Sequence, residues 1–235
     1  MMSPRPKRHT PQGNLPDAIL DIAWKQIAET GASSLSLRAI ARVLNITAPA
    51  IYNYYPNRDA LVTELIVAAF TSLGESQKAT AESIPATELE KRFIALGLAY
   101  RDWALKQPQR YQLIFGTPIP GYHAAEDITV PAAAWALLPL MQTIQALYEA
   151  GPFRLERLPG LTPELKAMLA AWQTFVRQGG IEAYEETLYL AYVVWSRVHG
   201  LVALEIGHQN PSFITDPGEI FRRELESMQQ QYLGE

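Results

Sequence analysis

Between residues 36 and 61 the chain reads SLRAIARVLNITAPAIYNYYPNRDAL, a short stretch rich in groups that bind phosphate. Tyr52 and Tyr54 carry hydroxyls, and Arg38 and Arg58 carry guanidinium forks. Both kinds of group suit the oxygens of a phosphate backbone. Thr47 can offer its own hydroxyl to a phosphate, and a helix that starts there presents a positive end to an anion. Ala48, Pro49 and Ala50 follow. They are small, so the backbone beside them can come close to the edge of a base.

These residues need a frame. Leu20, Ala23, Trp24 and Ile27 recur at helical spacing, and Gly31 is a stop for that helix. Ser36 caps a second helix that carries Ile40, Ala41 and Leu44. Asn45 tolerates the left-handed conformation of a tight turn, Leu44 to Thr47. Thr47 caps a third, short helix with Pro49 in its first turn, where a missing N–H costs little. Pro56 ends it. Asn57 caps a fourth helix with Leu61, Leu65, Ala68, Ala69 and Leu73 on one face. Ile40, Ala41, Leu44, Ile46 and Ile51 form a small core between the second and third helices, and Tyr55 is read as core. The arrangement is a helix-turn-helix, whose second helix enters the major groove by its N-terminal end.

Ser36, Ile40-Ala41, Asn45-Ile46-Thr47, Tyr52-Asn53-Tyr54-Tyr55-Pro56, Asn57-Arg58 and Ala60-Leu61 together resemble the DNA-binding domain of TetR/AcrR regulators over about residues 15–65. Asn45 stands where Gly is usual, Tyr55 where Phe is usual and Arg58 where Lys is usual. The resemblance implies a homodimer on a near-palindromic double-stranded operator, with a C-terminal domain that binds a small-molecule effector. It implies that Thr47, Tyr52, Tyr54 and Arg58 grip the DNA backbone and that Ala48, Pro49 and Ala50 sit nearest the bases. Arg38 contacts phosphate or base. Arg5, Lys7 and Arg8 resemble a basic flexible arm, residues 1–14, although a solvated tail explains them equally well.

The remainder reads as helices at roughly 86–107, 130–150, 163–178, 181–208 and 217–232, separated by Pro/Gly-rich stretches. No segment alternates like a strand, so the fold class is all-α. The expected organisation is a DNA-binding domain at 15–62, a connecting helix to about 80 with a hinge near Pro85, and an effector-binding and dimerisation domain at 81–235. Trp195, His199 and Gly200 resemble the Trp-x-x-x-His-Gly signature of one TetR branch, and Phe115 to Tyr122 fits that branch too. Trp195 and His199 share a helix face. Either His199 lines the effector pocket or it packs on Trp195, and the second reading is preferred. Trp103, Phe115, Trp135, Tyr148, Trp172, Phe175 and Tyr192, with Trp195 and His199, are the candidate pocket residues. They favour an apolar or aromatic effector. The last two helices are expected to form the dimer, with Leu188, Ala191, Val194, Val198, Leu201, Ile220, Leu225 and Met228 as candidates, some of which must instead face the body's own core.

Composition narrows the alternatives. The chain has 235 residues and no cysteine, which excludes disulfides and thiolate metal sites. No apolar run near the ~18 residues of a membrane span is evident, so a cytoplasmic protein without a membrane partner is expected. The four histidines lack metal-ligand spacing, and no catalytic constellation or phosphate-binding glycine loop is present, so neither a cofactor nor an enzyme is indicated. Net charge is −4, but residues 1–58 hold seven basic against three acidic residues, a basic head on an acidic body. The competing readings are an activator or effector-independent regulator on the same scaffold, or a helical small-molecule-binding protein. Affinity for sheared DNA separates the last from the others. A phosphate-gripping head loses roughly a thousandfold or more between about 50 and 200 mM salt, and a gel shift that does not respond to salt contradicts the reading.

Overall fold

The computed structural model describes residues 15–151, 160–178 and 182–232, apart from the side chains of Phe175 and Gln178. Arg5, Lys7 and Arg8 lie outside the described residues. The described residues form helices and no strand, with a helix-turn-helix head and a larger helical body. They group into two compact units. One comprises the chain up to Leu65 together with 117–124, and the other comprises 66–116 and 125–235.

The head is built from α1 (Leu15–Thr30), a single 3₁₀ turn (Ala32–Ser34), α2 (Leu37–Val43), α3 (Ala48–Tyr52) and the start of α4 (Arg58–Glu82). Its core is Ile19, Ala23, Ile27, Leu37, Ile40, Ile51, Leu61 and Leu65, all buried. Helix ends are fixed locally. Gly31 stops α1 at φ 80°, and Ser36 Oγ accepts the Ala39 N–H at 3.3 Å to start α2. Asn57 Oδ1 accepts the Ala60 N–H at 2.8 Å to start α4. The turn between α2 and α3 is a Schellman closure. Asn45 adopts φ 53°, its N–H reaches Arg42 O at 3.2 Å, and the Ile46 N–H reaches Ala41 O at 3.0 Å. Thr47 occupies the N-cap position of α3, but its side chain makes no capping hydrogen bond. The loop 117–124 joins this unit through Tyr122, whose hydroxyl lies 3.0 Å from that of Thr63.

The body contains the rest of α4, then α5 (Leu89–Lys106), α6 (Pro108–Phe115), α7 (Glu126–Glu149), α8 (Pro163–Gln178), α9 (Glu185–Ile206) and α10 (Pro217–Tyr232). Helix α9 packs against α5, α7, α8 and α10, and α5 packs against α7 and α10. This makes α9 the spine of the body. Its end repeats the device of α2: His208 adopts φ 52°, and the Gln209 N–H closes on Leu204 O at 2.9 Å. Two polar contacts tie α9 across the body: Arg101 Nε and Nη2 grip both Glu205 oxygens at 2.7 and 2.5 Å, and Arg197 pairs with Glu224.

The structure refines the sequence reading here. Helix α6 was not anticipated; Pro108 sits in its first turn, where proline starts a helix as readily as it breaks one. The division into two units falls inside α4 between Leu65 and Ile66, and Pro85 lies in the turn between α4 and α5. Leu188, Ala191, Val194, Val198, Leu225 and Met228 are buried in this chain's own core and are not available to a second copy, because α9 is covered on most of its sides. Finally, α7 and α9 are long and apolar enough to cross a membrane by length and composition, with 39% of the apolar stretch of each buried in the structure.

Close packing of α5 on α10 depends on Gly97, where an added Cβ would run into the Leu225 side chain. Leu225 is 1% exposed and cannot swing outward. Gly97→Val should therefore lower stability by about 1–3 kcal/mol through overpacking, measured as the midpoint of denaturant unfolding. An unchanged midpoint would mean that α5 and α10 do not approach this closely.

Candidate functional site

In the head, α3 protrudes with a bare first turn. Thr47, Ala48 and Pro49 are exposed and Ala50 is half-buried, while Ile51 is buried and anchors the helix from beneath. The pattern follows from a five-residue helix with one inward apolar side chain. Tyr52 and Tyr54 are exposed at 38% and 47%, whereas Tyr55 is 9% exposed and belongs to the core. Burial raises the Tyr55 phenol above its usual range, with smaller contributions from Glu64 and Asp17. Arg38 is exposed on α2. These groups share one unit and can meet a polyanion with hydroxyls, one guanidinium and a small apolar helix start.

Arg58 is arranged differently from the others. Its Nη2 donates to the carbonyls of Ala32 and Ser33, at 3.2 and 3.3 Å, and so braces the turn that precedes α2. Its Nε is buried without a hydrogen-bond partner. The guanidinium thus has a structural task that the local sequence does not announce, since its partners lie 25 and 26 residues upstream.

In the body, an apolar cavity of about 370 Å³ opens between α7, α8 and α9. Three of the candidate pocket aromatics line it: Trp172, Tyr192 and Trp195. Leu137, Leu140, Met141 and Ala191 complete the wall. A much smaller void of about 20 Å³, room for little more than a water molecule, lies beyond Trp195 and is bounded by Gln77, Gly97 and Tyr100 among others. Trp195, Leu137 and Leu140 border both spaces.

Trp103, Phe115, Trp135, Tyr148 and His199 line neither space. Trp103 is buried and donates its indole N–H to Ser72 Oγ at 3.1 Å. Trp135 lies over Gly74, and Tyr148 packs on Tyr184 with centroids 4.9 Å apart. Phe175 is outside the described side chains. Phe115 and His199 belong to an aromatic cluster. The His199 ring stacks between Trp195 and Tyr111, at 5.0 and 5.6 Å, and meets the Phe115 edge at 4.9 Å. Its Nδ1 is 2.9 Å from the Tyr100 hydroxyl and 3.2 Å from that of Tyr111. The tautomer of the imidazole decides whether Nδ1 donates or accepts there. The Trp195 indole N–H faces Tyr100 without reaching hydrogen-bond geometry and stays unpaired.

Tyr100 and Tyr111 were not singled out from the sequence, because they stand 99 and 88 residues from the histidine they hold. The aliphatic wall of the cavity was missed for a different reason: Leu137, Leu140 and Met141 have the spacing of any core-facing helix.

Burial holds the His199 imidazole below its ordinary range and pushes the Tyr111 phenol up to about 12. A histidine depressed by folding stabilises the fold fully above its unfolded value of about 6.5, and that stability is lost as the pH falls from there through the depressed folded value. The melting temperature should therefore drop on acidification below pH ~6.5, and His199→Gln should flatten this acid limb. A variant with the wild-type acid limb would remove His199 as its source.

Comparison with known proteins adds two family models. One, for bacterial regulatory proteins of the tetR family, matches residues 19–65. The other, the tetracyclin repressor-like C-terminal domain, matches residues 93–228. An HTH-type transcriptional regulator of Mycobacterium tuberculosis is 30% identical over 216 residues, which cover 92% of this chain and 91% of the relative. A solved regulatory protein is 36% identical with a TM-score of 0.73 and covers 96% of this chain and 98% of its own. A Rhodococcus protein of unknown function shares the fold at 19% identity, with a TM-score of 0.72 over 97% of this chain and all of its own.

Proposed function

The chain belongs to the TetR family of transcriptional regulators, and on that premise we propose that it is a repressor released from its operator by a small-molecule effector. The observation that carries this reading is the cavity of about 370 Å³ in the body of a chain whose head is a helix-turn-helix. A constitutive regulator needs no such space. Residues 15–62 serve as the DNA-binding domain and 81–235 as the effector-binding and dimerisation domain, in a cytoplasmic protein without enzymatic activity.

Ala48, Pro49 and Ala50 approach the bases, since the exposure of Ala48 and Pro49 lets the α3 backbone come close. Thr47, Tyr52 and Tyr54 hold phosphates from either side, with Arg38 on the neighbouring helix. Arg58 contributes to this grip through the donors not spent on Ala32 and Ser33. A two-fold homodimer on a near-palindromic operator is the arrangement that places two such heads in successive major grooves. With the buried residues of α9 and α10 excluded, the dimer face comprises Ser196, Gly200 and Leu204 of α9 with Ile220 of α10, all exposed. A Cβ at Gly200 meets nothing within 4 Å, so this position has room in a single copy.

Selection from random DNA should return inverted repeats with half-sites about one helical turn apart, and a reporter placed behind such a site should fall when the protein is expressed. Gly200→Glu should keep its helicity, run near the single-chain mass of 26.2 kDa by light scattering, and lose the site. Rising reporter output would make the protein an activator. Asymmetric single half-sites, or a Gly200→Glu protein that stays dimeric, would overturn the two-fold arrangement.

A further inference from the structure

We propose that the cavity between α7, α8 and α9 takes an uncharged, ring-bearing molecule and discriminates against anions and cations of the same shape. The inference rests on the effector reading above and gives that site its ligand chemistry.

The first argument is the composition of the wall. Among the described residues lining the cavity, none is charged, and Tyr192 supplies the only hydroxyl. A carboxylate, sulfonate or ammonium brought into such a space would give up its hydration without gaining a counter-charge, and the cost of an unpaired buried charge is large. Two arginines of the body are already committed elsewhere: Arg197 of α9 pairs with Glu224 and Gln231 of α10, and Arg101 of α5 with Glu205.

The second argument is the geometry of the rings. Trp172 comes from α8, and Tyr192 and Trp195 come from one face of α9, with the last two rings 6.1 Å apart and inclined at 51°. Rings inclined in this way accept a flat guest edge-on to one and stacked on another. The aliphatic side chains of α7 close the opposite wall. Tyr192 is 56% exposed and stands at the mouth, so entry needs no opening of the core. At about 370 Å³ the space is at the small end of ligand pockets. The void beyond Trp195 is too small to share the guest.

Two fluorescent probes with the same rings separate charge from shape: N-phenyl-1-naphthylamine, which is neutral, and 8-anilinonaphthalene-1-sulfonate. Binding is followed on the full chain through probe emission, without DNA. The neutral probe should bind saturably and at least about tenfold more tightly than the sulfonate. Ala191→Trp, which fills the cavity, should abolish this binding. Should that variant fail to fold, Tyr192→Lys at the exposed mouth provides the check, because a lysine there should strengthen sulfonate binding at least about tenfold. Equal affinities, absence of saturable binding of the neutral probe, neutral-probe binding that survives in folded Ala191→Trp, or an unmoved sulfonate affinity in Tyr192→Lys each overturn the inference. Release of operator DNA is measured separately. A neutral probe that binds as expected while the DNA stays bound supports the ligand class and counts against effector release alone.

Discussion

The body is organised by the contact between His199 and Tyr100. Helix α9 must pass through the middle of the body with four helices against it, and a polar imidazole on that helix is tolerable only when hydrogen-bonded. The Tyr100 hydroxyl from α5 makes that bond with Nδ1, and the rings of Tyr111 from α6 and of Trp195 both stack on the imidazole. One side chain thereby sets the rotation of α9 about its own axis. That rotation puts Val194, Val198 and Val202 into the core and turns Ser196, Gly200 and Leu204 outward. It also brings Tyr192 and Trp195 to the cavity wall.

Much of the head could be read from the sequence because its determinants are close in the chain. Ser36 caps within three residues, Asn57 does the same, and the Asn45 turn closes with the Asn45 N–H on the carbonyl three residues back and the Ile46 N–H on the one five residues back. Each is a rule about neighbours, and the order of the rules along residues 36–61 is what resembled the TetR family. Arg58 resisted the same treatment. Its spacing fits a phosphate donor, but its contacts with Ala32 and Ser33 depend on how the chain folds back on itself.

The body was legible as helices and much less so as a site. Apolar periodicity located α8 and α10, but it does not separate a side chain facing a neighbouring helix of the same chain from one facing a second copy. Leu188 and Leu225 illustrate this, since both are sealed inside. Aromatic content misled in a related way. Trp103 and Tyr148 are aromatic like Trp172, but a partner hydroxyl or ring already occupies each. A cavity exists where side chains fail to meet, and that depends on helix placement across residues 137–195 rather than on the type of any one residue.

The loop 117–124 belongs by its contacts to the head, although it is encoded after α5 and α6. The head is therefore discontinuous along the gene. A nascent chain that has emerged only as far as Leu65 holds α1 to α3 but lacks Tyr122, the partner of Thr63. At ordinary synthesis speed the missing strip follows roughly 3–12 s later. During that interval Thr63 has no tyrosine to bond, and the DNA-binding module of a polypeptide still on the ribosome differs from that of the finished molecule. Translation order thus gives completion of the head to a segment made after the first helices of the body.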